Sequence, residues 1–233
     1  MTTTYGLRAT PAGFMVAMLV CLGTGAASAG EQPETLDFAL FRDGQAFGHH
    51  SFRIYRDGDR TVVASTASAS VTLGPFRVFS YDYDSEEVWD GDHLLSLTAR
   101  TDDSGAKYAV RAGLGPDGLK VSVGGRQQTV PAAVLPTSFW TRAAMTAPAL
   151  LDTRTGDVDH VEIAALGSET DPSAGGVLDH YRLSGDLAAD LWYDRDGLLA
   201  RAHFLVRGAD IDYVRTSPQP GTRMAGGRLP GGS

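Results

Sequence analysis

Tight turns constrain this chain more than any other feature of its sequence. Five Asp-Gly pairs occur, at Asp43-Gly44, Asp57-Gly58, Asp90-Gly91, Asp117-Gly118 and Asp196-Gly197. An Asp-Gly pair tolerates the positive φ angles that a two-residue hairpin turn requires. Because each pair lies between runs of strand-forming residues, we expect the chain to fold as successive antiparallel hairpins.

Within the predicted strands, the alternation of apolar and polar residues predicts which side chains point to the interior. Between Val78 and Val88 the aromatic side chains and the carboxylates fall on opposite faces of a strand. The aromatic face carries Phe79, Tyr81 and Tyr83, and the acidic face carries Asp82, Asp84 and Glu86. We therefore predict that the three rings are buried together and that the three carboxylates face water.

The strands are predicted between Leu36 and Arg215, with one helix candidate at Pro136–Leu151 that Ser138 can cap and Pro148 shortens. A long meander must curl or close, because a flat open sheet would leave its edges unpaired. The fold class predicted is mainly β: a single antiparallel meander at 36–215, curled into a half-barrel or barrel with one short helix. Residues 30–35 are predicted to be a flexible N-terminus and 216–233 a disordered Pro/Gly-rich tail.

Residues 1–29 have the layout of a secretory signal peptide. Arg8 precedes the apolar stretch Phe14–Leu22, and Ala27-Ser28-Ala29 offers a small-x-small cleavage site. The apolar stretch is too short to span a bilayer as a stable helix. We therefore expect a cleavable signal, a periplasmic or secreted protein, and no stable membrane insertion after cleavage.

Composition removes several classes of function. A net charge of −8 over 233 residues disfavours an electrostatic grip on nucleic acid, and a single cysteine excludes a disulfide framework. His49 and His50 are adjacent on a predicted strand, so they point to opposite faces and do not form a metal site together. With no H-x-H, H-E-x-x-H or G-x-S-x-G pattern, we predict no metal and no cofactor.

Several segments resemble an uncharacterised family of exported bacterial proteins that is known only as a domain of unknown function. They are Gly44–His50, Glu86–Leu94, Thr101–Gly105, Ser138–Thr141, Leu150–Gly156 and Asp190–Asp194. The family is similar in outline to lipoprotein-carrier-like half-barrel proteins, which cradle acyl chains in a concave sheet. The resemblance implies a curled sheet and an exported location, and it assigns no chemistry to any residue.

A curled sheet with one short helix does not fill its own concavity, and the remainder is expected to be an apolar pocket with a few polar groups. The predicted ligand-binding residues are Phe79, Tyr81, Tyr83, Phe139, Trp140, Trp192 and His50. Trp140 is expected on the pocket lining, because first-turn aromatic residues of a covering helix point into the concavity.

The function predicted from these features is an exported protein that binds an apolar or amphiphilic ligand, such as a lipid, in the concavity. Two alternatives stay open. One is an enzyme that uses His50 and Tyr81 as an acid–base pair in the same cavity. The other is a structural or assembly factor of the envelope that binds no small ligand. The sequence does not name the ligand, a reaction or the histidine that faces inward.

Overall fold

The computed structural model describes Met1, residues 33–171 and residues 176–216. The predicted signal peptide and the predicted tail beyond Thr216 therefore fall, apart from Met1, outside the described residues. Within the described ranges, no helix combines the length and the apolar character needed to cross a membrane.

The described chain consists almost wholly of strands. They are β1 (Glu34–Arg42), β2 (Gln45–Asp57), β3 (Arg60–Leu73), β4 (Phe76–Asp90), β5 (His93–Asp103), β6 (Ala106–Gly115), β7 (Gly118–Val123), β8 (Arg126–Val130), β9 (Leu135–Pro136), β10 (Leu150–Leu151), β11 (Val158–Asp159), β12 (Val161–Asp171), β13 (Gly176–Gly185), β14 (Ala189–Tyr193), β15 (Leu199–Val206) and β16 (Ala209–Arg215). The glycines of all five Asp-Gly pairs adopt positive φ, from 55° at Gly91 to 130° at Gly118. The predicted turns are confirmed.

Thirteen of these strands form one antiparallel sheet in the order β12-β13-β14-β15-β16-β1-β2-β3-β4-β5-β6-β7-β8. The first strand lies inside the sheet, because the returning meander β12–β16 ends beside it: Phe38 of β1 pairs with Arg215 of β16. The sheet is not closed, since β8 and β12 remain as its two edges. The predicted mainly β meander is confirmed as an open, barrel-like sheet.

A hydrogen bond between distant strands shows how strongly the sheet curls. Arg207, in the turn between β15 and β16, donates to Asp103 at the end of β5 over 2.9 Å. Five strand spacings separate β16 from β5, which in a flat sheet amounts to about 24 Å. The contact is possible only because the sheet bends around its inner face.

The predicted helix at Pro136–Leu151 is reduced to a single 3₁₀ turn, Arg142–Thr146, which Thr141 caps in place of Ser138. Both ends of the predicted helix are extended instead, because Leu135 pairs with Leu150 in a small parallel β9–β10 contact. Proline at 136 and 148 favours this outcome, since neither position can continue a helical hydrogen-bond pattern.

The start of the first strand also differs from the prediction. β1 begins at Glu34, which pairs with Ile54 of β2, so the predicted flexible segment 30–35 is a strand at its end. The faces of β4 agree with the prediction: Asp82, Asp84 and Glu86 are exposed, while Tyr83 is buried and Phe79 and Tyr81 are half-buried.

Candidate functional site

The chain between β8 and β12, here called the covering segment (131–160), packs against the concave face of the sheet. Its buried side chains belong to the same hydrophobic core as those of the sheet. The largest of them are Leu135, Phe139, Trp140, Leu150 and Leu151. The concavity is therefore filled mainly by the chain itself, and what remains open lies between this segment and the strands.

A cavity of about 230 Å³ remains there. It is lined by His50, Ala67, Tyr81, Tyr83, Thr137, Ser138, Phe139, Asp152, Thr153, Arg154, Asp159, Leu187, Phe204, Val206, Ile211 and Tyr213. Aromatic and aliphatic side chains from the sheet form most of its wall, and the polar and charged groups come mainly from the covering segment. The cavity thus has the mixed lining of a site for a small amphiphilic molecule.

The small residues of β3 create this space. Ala67 pairs with His50 on one side and with Tyr83 on the other, and Ala69 pairs with Tyr81. Large rings on the neighbouring strands thus flank methyl groups on β3, which leaves a hollow above the methyl groups.

The structure brings together four of the seven predicted ligand-binding residues. His50, Tyr81, Tyr83 and Phe139 line the cavity. Phe79 is half-buried and packs against the core without lining the cavity.

The two remaining predicted residues, Trp140 and Trp192, are not at the cavity. Trp140 is 6% exposed and its indole nitrogen donates to Glu87 over 3.1 Å, so it is a core residue beside the cavity. Trp192 lies on the opposite face of the sheet, where it packs with Leu178 and Ala200, stacks on His180 and carries the Arg201 guanidinium 4.7 Å from its ring. The structure thus places Trp140 in the core, where its indole is directed at Glu87, and not on the cavity lining as the sequence led us to expect.

His50 is the histidine that faces inward, and His49 is exposed. The Nε2 atom of His50 lies 2.7 Å from the Ser65 hydroxyl oxygen, and the His50 ring stacks on Phe52 at a centroid distance of 4.2 Å. Burial, and to a lesser degree His49, lowers the pKa of His50 to about 3. The His50 ring is therefore neutral near pH 7.

The tyrosines of the cavity are neutral as well. Burial raises the pKa of Tyr81 to about 12, and it raises the pKa of Tyr83 and of Tyr213 still further. A tyrosine in this state offers a ring face and a hydroxyl group that can donate or accept a hydrogen bond.

Charged groups of the covering segment line another part of the cavity. Asp152 accepts hydrogen bonds from the backbone N–H groups of Arg154 and Thr155, at 2.6 and 3.0 Å, which holds the turn that presents Arg154. The Arg154 guanidinium lies 5.2 Å from the Tyr108 ring centroid. Burial, followed by the nearby carboxylates of Asp152, Asp186 and Asp157, raises the pKa of Asp159 to about 6.

Glu87 is a buried carboxylate that the sequence reasoning missed. It is 1% exposed and accepts hydrogen bonds from the indoles of Trp89, at 2.9 Å, and Trp140, at 3.1 Å. Burial raises its pKa to about 7, against hydrogen bonds that favour the carboxylate. The signal was present in the sequence, since the inward face of β4 that carries Tyr81 and Tyr83 continues with period two to Glu87.

Three of the six segments that resemble the family meet around this site. Gly44–His50 contributes His50, Ser138–Thr141 contributes Ser138 and Phe139, and Leu150–Gly156 contributes the turn of Arg154. Two of their glycines allow close packing: a Cβ on Gly48 would lie 2.6 Å from the Cβ of Ala69, and one on Gly156 would lie 2.3 Å from a methyl group of Val123.

Metal binding has no support in this region. Across residues 33–171 and 176–216, no three His, Cys, Asp or Glu side chains are grouped closely enough to hold a metal ion. The arrangement offers neutral hydrogen-bonding groups, aromatic faces and a few charges, which suits binding of an organic ligand.

Comparison with known proteins identifies a family. The sequence model of a family described as "Domain of unknown function (DUF6134)" matches residues 38–216, so the chain belongs to that family. The crystal structure of a beta-barrel-like protein of domain of unknown function DUF1849 from Brucella abortus is similar with a TM-score of 0.59 and 10% identity, covering 79% of this chain and 96% of that chain. This likeness shows a shared barrel-like fold. No curated protein matches the sequence.

Proposed function

We propose that this member of the DUF6134 family binds a small amphiphilic molecule in the cavity beneath its covering segment. The observation that carries the proposal is the lining itself. Phe139, Phe204 and Tyr213 supply apolar faces, while Arg154 and Asp159 supply charge within the same 230 Å³ space. Six lining residues are apolar, three are tyrosines and seven are polar or charged, so the cavity can contact both parts of an amphiphile. Small-ligand sites combine apolar walls with placed polar groups in this way.

The size of the cavity limits the ligand. At about 30 Å³ per water molecule, 230 Å³ is the volume of about eight waters. That volume suits one short alkyl chain or a small ring system, and it is too small for the two chains of a whole phospholipid. We therefore propose a single-chain amphiphile, such as a fatty acid, as the ligand class.

An enzyme that uses His50 and Tyr81 is less well supported. General acid–base catalysis is most effective when the pKa of the group lies near the working pH. The pKa of His50 is lowered to about 3 and that of Tyr81 is raised to about 12, so both lie far from neutrality. These shifts favour a binding role for the two side chains.

Export is part of the proposal. The layout of the predicted signal peptide supports a location in the periplasm or outside the cell. N-terminal sequencing of the exported protein should give a chain that begins at or near Gly30, and an intact Met1 would contradict export by cleavage.

Filling the cavity tests the binding proposal. Ala67→Leu places a larger side chain on the cavity floor, and we expect it to weaken binding of decanoate at least about tenfold, measured by isothermal titration calorimetry. Ala64→Leu is the matched control, because Ala64 is on the other face of the same strand and does not line the cavity.

Circular dichroism should show unchanged β structure in both variants. Equal decanoate affinity in the wild type and in Ala67→Leu would contradict the proposed site, and so would the absence of decanoate binding by the wild type.

A further inference from the structure

The hairpin formed by β3 and β4 projects beyond its neighbours at one end of the sheet. β3 pairs with β2 only as far as Ala69, and β4 pairs with β5 only from Tyr81 onward. Between those points, residues 70–80 pair as strands only with each other. At the base of this ribbon, Ser80 hydrogen-bonds to Ser104 and Phe79 packs against the core, and the strands beyond them bond only to each other. The ribbon is here called the projecting tip (70–80).

The projecting tip exposes large apolar side chains. Leu73 is 73% exposed, Phe76 is 71% exposed and Val78 is 58% exposed. They lie within six consecutive residues around the Gly74-Pro75 turn. Exposed apolar groups concentrated in this way mark a surface that contacts another phase or another molecule.

The charge of the projecting tip differs from that of the chain as a whole. The protein carries 28 Asp and Glu residues and a net charge of −8, yet residues 70–80 contain no carboxylate and one cation, Arg77. Arg77 stands between Phe76 and Val78. A cation set among apolar side chains complements the anionic head groups and the acyl boundary of a phospholipid surface.

The projecting tip lies next to the cavity. Tyr81, the first residue after it, lines the cavity, and so does Val206 at the end of β15. Leu205 and Val206 are themselves 61% and 47% exposed, and the adjacent Arg207 is bonded to Asp103, the residue that pairs with Tyr81. The apolar groups of both hairpins are thus found at the end of the sheet where the cavity lies.

We propose that the projecting tip docks on an anionic phospholipid bilayer, with Leu73, Phe76 and Val78 at the boundary between head groups and acyl chains and Arg77 at the lipid phosphates. Charge complementarity favours this occupant, because Arg77 is the one charged residue among 70–80 and is flanked by exposed apolar side chains. An exchange of the amphiphilic ligand between the docked protein and the bilayer rests on the proposed function. The docking of the tip on the bilayer is independent of the proposed function.

Vesicle co-sedimentation of the exported chain tests the docking. With vesicles of equal parts phosphatidylglycerol and phosphatidylcholine, the triple change Leu73→Ser, Phe76→Ser, Val78→Ser should weaken binding at least about tenfold. Leu166→Ser with Val177→Ser is the matched control, because these side chains are 49% and 57% exposed on β12 and β13. We expect the control to bind like the wild type.

The electrostatic part is tested separately. Arg77→Ala should weaken binding to the anionic vesicles about fivefold, and that difference should disappear with vesicles of phosphatidylcholine alone. Circular dichroism should show that every variant keeps the β spectrum of the wild type, since the substituted side chains are exposed.

Several outcomes would overturn the docking. One is a wild type that does not bind the vesicles, and another is a triple variant that binds as well as the wild type. A wild-type dimer that the triple variant loses, without any vesicle binding, would assign the tip to a protein contact instead. Decanoate binding measured without vesicles should be unchanged in the triple variant. Vesicle binding without decanoate binding would contradict the proposed function and leave the docking intact.

Discussion

Asp194 and Glu87 are both buried in this protein, yet Asp194 faces a guanidinium and Glu87 faces two indoles. One Asp194 oxygen is 2.8 Å from Arg215, and the other accepts backbone N–H bonds from Asp196 and Leu198. Glu87 accepts hydrogen bonds from the indoles of Trp89 and Trp140, and the Ser138 side chain also favours its charged form. Among the described residues it forms no ion pair.

The difference separates two roles for a buried acid. Asp194 is compensated in charge and fixed in geometry, and Arg215 also donates to the carbonyl of Leu199, so this pair joins the end of β14 to β15 and β16. Glu87 is solvated by neutral donors alone, which is why burial raises its pKa to about 7. The carboxylate beside the covering segment therefore changes charge near neutrality.

Removing the negative charge of Asp194 should have the largest effect on the free energy of unfolding. Asp194→Asn keeps an acceptor for the turn but leaves Arg215 buried without a counter-charge, and we expect a loss of about 3–5 kcal/mol in the free energy of unfolding. Urea denaturation measures it. The control is Asp157→Asn, which removes the exposed partner of Arg126 and should cost less than about 1 kcal/mol. Similar losses in the two variants would mean that burial does not distinguish the pairs.

The comparison also shows what the sequence could predict. Local rules were sufficient for the hairpins, because an Asp-Gly turn and a period of two are encoded within a few residues. The same period places Glu87 on the inward face, but no local pattern shows what a buried carboxylate would bond to. One of its partners, Trp140, is 53 residues away in the chain.

Other parts of the site depend on contacts that no local pattern contains. Trp192 lies between two inward residues, Leu191 and Tyr193, and all three are buried, so the sequence alone did not show which face of β14 turns inward. The covering segment is shaped by the pairing of Leu135 with Leu150, which is fifteen positions further along the chain. Its form depends on that distant pairing more than on helix propensity.

Neutralising Glu87 should have the next largest effect, and the effect should depend on pH. The pKa of Glu87 is about 7 in the folded protein and 4.5 for an ordinary glutamate. Because the pKa is higher in the folded protein than in the unfolded chain, protonation of Glu87 stabilises the fold. This stabilisation is complete below pH 4.5 and is lost as the pH rises through 7. We expect the stability of the wild type relative to Glu87→Gln to fall by about 3 kcal/mol across that window.

Denaturation of both proteins at several pH values measures this fall. Glu86→Gln is the matched control, because Glu86 is exposed on the other face of β4 and should show no such dependence. A constant difference between the wild type and Glu87→Gln from acid to alkaline pH would show that Glu87 does not titrate in this range. Asp159, whose pKa is about 6, affects the wild type and this variant equally and cancels in the difference.

The smallest expected effect concerns one of the two indoles that solvate Glu87. Trp140→Phe keeps an aromatic ring against Trp89 but removes the N–H that donates to Glu87 over 3.1 Å. A hydrogen bond to a charged group is worth more than one to a neutral group, so the destabilisation should be greater above pH 7 than below pH 4.5, by about 1 kcal/mol. The loss of ring volume adds a cost that is the same at both pH values. Trp192→Phe is the control for the loss of an indole N–H, because its indole bonds to Glu169 on the outer face and not to Glu87, so its cost should not follow the titration of Glu87. If Trp140→Phe is equally destabilising at both pH values, the Trp140 N–H does not stabilise the carboxylate of Glu87.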